Sequence, residues 1–224
     1  MRARRGLVIG WLVVAAYAAA LVTVTATTSD GDLRPGDRAV DPDAVDELVE
    51  AWERSLRATF LRVGSFERRS ETTGAVISSE DVLAQRPPQQ IHRQLGGVDG
   101  RDDRRAILCP SQPDPDRAGQ PRCSFTGPTL PPYEQDVEQE VAALRSLLEG
   151  PAPVYAVEPA GDGCFDLAQQ RVEPRAPFGI EARFCFDEGT GAPAGSRVRY
   201  AGGIVEVVAV TRVTPEVSDA DLEP

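Results

Sequence analysis

Of the side chains that carry chemistry, this chain holds one histidine, His92, four cysteines and no lysine. Without lysine there is no Schiff base, no pyridoxal phosphate site and no phosphate-binding P-loop. A Ser–His–Asp arrangement would rest wholly on His92, and no G-x-S-x-G elbow accompanies it. With neither a second histidine nor a close C-x-x-C pair, the donors for a zinc site are missing too. Asp99, Asp102 and Asp103 do not follow the order of a calcium loop and read as a solvated hairpin tip. Arg68-Arg69 and Arg104-Arg105 are placed to meet carboxylates across a sheet or on a partner. These residue types therefore predict no enzyme, no metal and no cofactor. An exported hydrolase built on His92 is the remote alternative.

Cys109, Cys123, Cys164 and Cys185 all follow a long apolar run and read as disulfides of an oxidising compartment. Four cysteines allow three connectivities, and the spacing favours the local pairs Cys109–Cys123 and Cys164–Cys185. The first pair brackets a proline-rich loop; the second sits on consecutive strand-like runs.

The elements that must position these residues begin with the apolar run itself, residues 7–26. It carries no charge and follows Arg2, Arg4 and Arg5. About 20 apolar residues span a bilayer as a helix, and the arginines hold residues 1–6 in the cytoplasm. The reading is a single-pass cell-membrane anchor with an extracytoplasmic C-terminal part. The alternative is a cleaved export signal, for which Val24-Thr25-Ala26 offers small residues. After Ala26 come all 35 acidic residues against 21 arginines, a formal charge of −14. Such a surface excludes phosphate-backbone binding, so nucleic acid is not an expected partner. The absence of asparagine removes any N-glycosylation acceptor.

Residues 27–42 read as a linker, and 43–214 as one domain. Asp43 is placed to cap a helix to about Leu56, with Val45, Leu48, Val49, Trp52 and Leu56 on one face. From Thr59, four short runs rich in branched and aromatic residues predict an antiparallel meander. Its turns fall at Thr72-Thr73-Gly74, Arg86-Pro87-Pro88 and Val98-Asp99-Gly100-Arg101. Residues 110–132, with seven prolines and two glycines, form an excursion loop. A second amphipathic helix starts near Tyr133, with Val137, Val141, Leu144 and Leu148 in phase, and stops at Gly150-Pro151. Strand-like runs then return. In one, Ile180, Ala182, Phe184 and Phe186 share a face; in the last, Ile204 to Val213 predicts burial on both faces. Residues 215–224 read as an acidic, frayed tail.

Residues 184–213 resemble the strand–turn–strand pattern of the periplasmic lipoprotein-carrier-like superfamily. The matching positions are Asp187, Thr190, Gly191 and Pro193, then Val198, Tyr200 and the run from Ile204. Arg86-Pro87-Pro88-Gln89-Gln90-Ile91 is similar to that family's proline-marked entry to a strand. The resemblance implies an α+β fold: a curved antiparallel sheet, or half-barrel, with two amphipathic helices on its concave face, here preceded by one transmembrane helix. It also implies a lipid or acylated ligand in the concavity. Phe184, Phe186, Val198 and Tyr200 are the candidate lining. A sensor or assembly protein acting through protein contact is the alternative; residues 1–6 are too short to signal alone, so it would need a membrane protein partner.

Overall fold

The computed structural model describes residues 41–110, 123–125, 129–173 and 176–224. The anchor, most of the linker and the greater part of the proline-rich loop lie outside them. No described helix is long and apolar enough to cross a membrane.

Helix α1 spans Pro42–Arg57. Its cap is Asp41 rather than Asp43: the Asp41 carboxylate accepts from the Asp43 amide at 3.1 Å. The reason is Pro42, whose fixed φ and missing N–H suit the first helical position. Eleven antiparallel strands follow in one sheet. They are β1 (Phe60–Ser70), β2 (Val76–Arg86), β3 (Gln89–Gln94), β4 (Gly97–Asp102), β5 (Arg105–Cys109), β6 (Ser124–Phe125), β7 (Tyr155–Gly161), β8 (Cys164–Gln169), β9 (Glu181–Phe186), β10 (Pro193–Tyr200) and β11 (Ile204–Thr214). Helix α2, Tyr133–Leu148, lies between β6 and β7 in the chain. The sheet order is β6-β5-β4-β3-β2-β1-β11-β10-β9-β8-β7.

The sheet is curved, and α2 shows why. Near its start, Asp136 pairs with Arg101 of β4 at 2.7 Å. Near its end, the Leu147 carbonyl accepts from the Val154 amide at the entry to β7. On a flat sheet, eight interstrand steps would separate those strands by about 38 Å. The helix between residues 136 and 147 is only about 17 Å long. The sheet must curl around both helices, as the half-barrel reading predicts. Strand register puts Tyr155, Val157, Phe165, Leu167, Ala182, Phe184 and Val198 on this concave face, against α1 and α2.

Three expectations are corrected. The turn between β3 and β4 is Leu95-Gly96, both at positive φ (52° and 73°). Asp99 and Gly100 lie inside β4, where a Cβ on Gly100 would stand 2.1 Å from the Gln90 carbonyl oxygen. That glycine serves close strand approach, not a turn. Strand β11 is not buried on both faces: Val205 is its one buried residue, Ala209 on the same face is exposed, and Ile204, Val208 and Val210 on the other are only partly covered. The helices cover the β7–β10 side of the sheet and leave much of β11 beyond them. The tail is not frayed; it forms a 3-10 helix, Asp219–Leu222, whose Leu222 is buried on the outer face.

Both disulfides occur as expected, Cys109–Cys123 and Cys164–Cys185, the latter joining directly paired residues of β8 and β9. A buried amide holds the C-terminal end of α1. Gln85 of β2 donates from Nε2 to the carbonyls of Ser55, Leu56 and Ala58 at 2.8–3.0 Å. Gln85→Leu removes this donor from all three carbonyls and leaves Leu56 only the Tyr133 hydroxyl, an expected loss of about 1–3 kcal/mol in a urea melt. An unchanged midpoint would show that water replaces the amide.

Candidate functional site

The concave face divides into an apolar half and a charged half. In the apolar half, Trp52 projects from α1 into an aromatic cluster. Its ring centroid lies 5.6 Å from Phe178, 5.2 Å from Phe184 and 6.1 Å from Phe186. The indole N–H is satisfied by Glu140 of α2 at 3.0 Å. Burial pushes the Glu140 carboxyl above its ordinary range, the indole bond pulls it back, and Asp136 adds to the rise.

The four candidate lining residues reach this layer. Phe186 and Val198 are buried; Phe184 and Tyr200 are partly buried against the same cluster. Tyr200 sits at the margin, its hydroxyl donating to Glu206 at 3.1 Å. Burial and the neighbouring Glu206 push that phenol well up. Glu206 also pairs with Arg68 across β1 and β11. The layer is filled around Trp52, and it reaches the surface along one side of α1. There a crevice of about 190 Å³ has a floor of Ala51, Phe165 and Phe186. Glu47, Glu50, Arg54 and Glu188 form its charged rim. A wider cleft of about 400 Å³ continues past Arg54 and Arg57 to Thr190.

Thr190 belongs to the turn picked out by the family resemblance. Asp187 accepts from the Thr190 amide and hydroxyl at 2.7 and 2.6 Å, which holds its carboxyl below the usual range. Gly191 is at φ 74°, and a Cβ there would stand 3.1 Å from the Arg54 Cγ. The turn is thereby seated against α1.

The charged half runs across four strands as Arg62, Asp81, His92 and Asp99. Register places all four on the concave face. Arg62 pairs with Asp81, their side chains only 2% and 0% exposed. Asp81 also meets His92 Nε2 at 2.8 Å and accepts from Gln94 at 2.9 Å. His92 Nδ1 faces Asp99 at 3.7 Å. Burial alone would raise the Asp81 carboxyl, but the His92 bond, the Arg62 charge and Gln94 outweigh it and bring it down to about 2. Burial lowers the Arg62 guanidinium, opposed by Asp81. Asp99 moves the other way: burial and Asp81 raise it against His92.

Asp99 is thus part of this row and not of a solvated tip. Among the described residues, no group of three His, Cys, Asp or Glu is arranged to hold a metal. The expected cross-sheet arginine pairs appear as Arg68–Glu206 and Arg105–Asp102, while Arg104 donates to the Leu130 carbonyl at 3.3 Å.

Arg62, Asp81 and Glu140 escape a sequence reading that treats charged residues as solvent-facing. The signal is phase: Arg62 alternates with Phe60 and Phe66, and Asp81 with Leu83, on the buried face.

The Asp81 shift fixes a pH dependence. Its folded value lies below its ordinary 3.8, so its stabilisation is present above that value and is lost as pH falls toward about 2. Urea midpoints should fall over that window, and Asp81→Asn, itself less stable at neutral pH, should lose about 2 kcal/mol of the acid dependence. Parallel acid profiles for the two proteins would assign the effect to other carboxylates.

No known protein family and no curated protein matches the chain. Solved structures do. The complex of MucA and MucB from Pseudomonas aeruginosa matches at 14% identity, 81% of this chain, 61% of that chain and a TM-score of 0.45. LprF from Mycobacterium bovis matches at 9%, 81%, 97% and 0.38. A LolA superfamily protein from Nitrosomonas europaea matches at 9%, 84%, 99% and 0.33. The chain spans less than two thirds of the MucB structures it matches, 59–63% of their length.

Proposed function

We propose that this protein is an extracytoplasmic binding domain, tethered by residues 7–26, that takes up a lipid or acylated ligand between α1 and the sheet. The supporting observation is the crevice beside α1, where the apolar layer comes to the surface over Ala51, Phe165 and Phe186 beneath a charged rim. An alkyl chain entering there continues an existing apolar layer, and the Glu and Arg side chains above it suit a polar head. The protein acts by binding and performs no covalent step.

A second reading, a sensor or assembly protein working through protein contact, draws on the tip of the β1–β2 hairpin. Val76 and Ile77 there are 58% and 55% exposed. Adjacent exposed branched residues at the start of β2 offer apolar surface to a partner.

Titration with a fluorescent fatty acid separates the two. Under the lipid reading the wild-type protein binds it saturably, and Ala51→Trp, which fills the crevice, weakens binding at least tenfold. Ile77→Asp leaves it unchanged. In parallel, Phe186→Ala should cost about 3–5 kcal/mol of stability, because Phe186 packs against Trp52 and Phe165. Absence of probe binding by folded wild-type protein would defeat the lipid reading and leave protein contact. Recovery of the chain from membranes only with detergent, and not with alkaline carbonate, is expected of the tether.

A further inference from the structure

The outer face of β2–β5 carries a groove that the chain itself occupies. Ala84, Ile91, Ile107 and Cys109 form its buried apolar floor, with Leu61 and Val98 packed alongside. Leu222 inserts from the C-terminal 3-10 helix and is 9% exposed. Arg93 donates from Nη1 and Nη2 to the Asp221 carbonyl, both at 3.1 Å, and also to the carbonyl of Glu223. Arg86 pairs with Asp219 at 2.7 Å. The segment holds its own shape: the Ser218 amide and hydroxyl donate to Asp221 at 2.8 and 2.6 Å. Among the described residues, no backbone-to-backbone hydrogen bond joins residues 216–224 to the sheet.

These are the contacts of a bound peptide. A leucine fills a socket, one arginine receives main-chain carbonyls, and a second receives a carboxylate. On a domain with so large a negative charge, two arginines beside an apolar socket are a local complement to acidic chain.

We propose that the outer face of β2–β5 is a docking site for an acidic peptide segment of another protein, with a leucine three residues after an acidic one, and that residues 217–224 are its resident, self-inhibiting occupant. Arg93 meets main-chain atoms, so it adds affinity without selecting sequence. The Leu222 socket and Arg86 set the pattern. The partner gains the site by displacing the tail, which costs no sheet hydrogen bond.

The test uses the full chain and a labelled synthetic peptide of residues 217–224, read by fluorescence anisotropy. In Leu222→Asp the tail is released, and the peptide should bind saturably, at least tenfold more tightly than it binds wild type. Adding Arg93→Ala should weaken it at least tenfold, as should replacing the peptide's leucine by aspartate. Thermal melts accompany each variant. Equal peptide binding by wild type and a cooperatively folded Leu222→Asp chain, or binding by neither, overturns the proposal. So does loss of the cooperative melt in Leu222→Asp, because the tail would then be part of the core and not an exchangeable occupant.

Discussion

A helix of fixed length ties together strands that stand far apart in the sheet, and much of the fold depends on that tie. Helix α2 reaches β4 at one end and β7 at the other, so the sheet between them has to wrap. Wrapping creates the interior that α1 fills, and Trp52 sits where both helices and the sheet meet. Its single polar atom is satisfied by Glu140, so the indole can be central to an apolar layer without an orphaned donor. The crevice beside α1 is the margin of that packing, a place where the helix does not reach the β8–β9 floor.

The other half of the concave face solves a different problem. Arg62 and Asp81 are held out of water, a costly arrangement that gains little stability over an apolar pair. Its value is in directionality. Arg62, Asp81, His92 and Asp99 each sit on a different strand, so alternating partners penalise any slip in the register of β1 to β4.

Much of this was legible in the chain itself. The two helices, the strand runs and both disulfide pairs follow from periodicity, spacing and compartment. The half-barrel came from resemblance and not from pattern, since curvature depends on a contact between Arg101 and Asp136 that no local signal announces. Asp99-Gly100 misled because it has the chemistry of a turn, whereas Gly100 is there to let the Gln90 carbonyl come close. The tail misled in the opposite way: its acidic composition hid one leucine with a socket to fill. Of the candidate lining, Phe184 and Phe186 were found through alternation, Val198 and Tyr200 through the resemblance. Ala51 and Phe165, which form the crevice floor with Phe186, depend on how a helix sits against a hairpin.

The two middle strands of the sheet come from opposite ends of the domain. Phe66 of β1 lies against Val208 of β11, and every other strand pair joins neighbours in sequence. The sheet is therefore two meanders, β1–β6 and β7–β11, closed by a single seam of very long sequence separation. Closing so large a loop is entropically slow and comes after local hairpins have formed. A chain synthesised from its N-terminus cannot make this seam until β11 has emerged. Until then β1 is an open edge of the first meander, because its partner on that side is still missing.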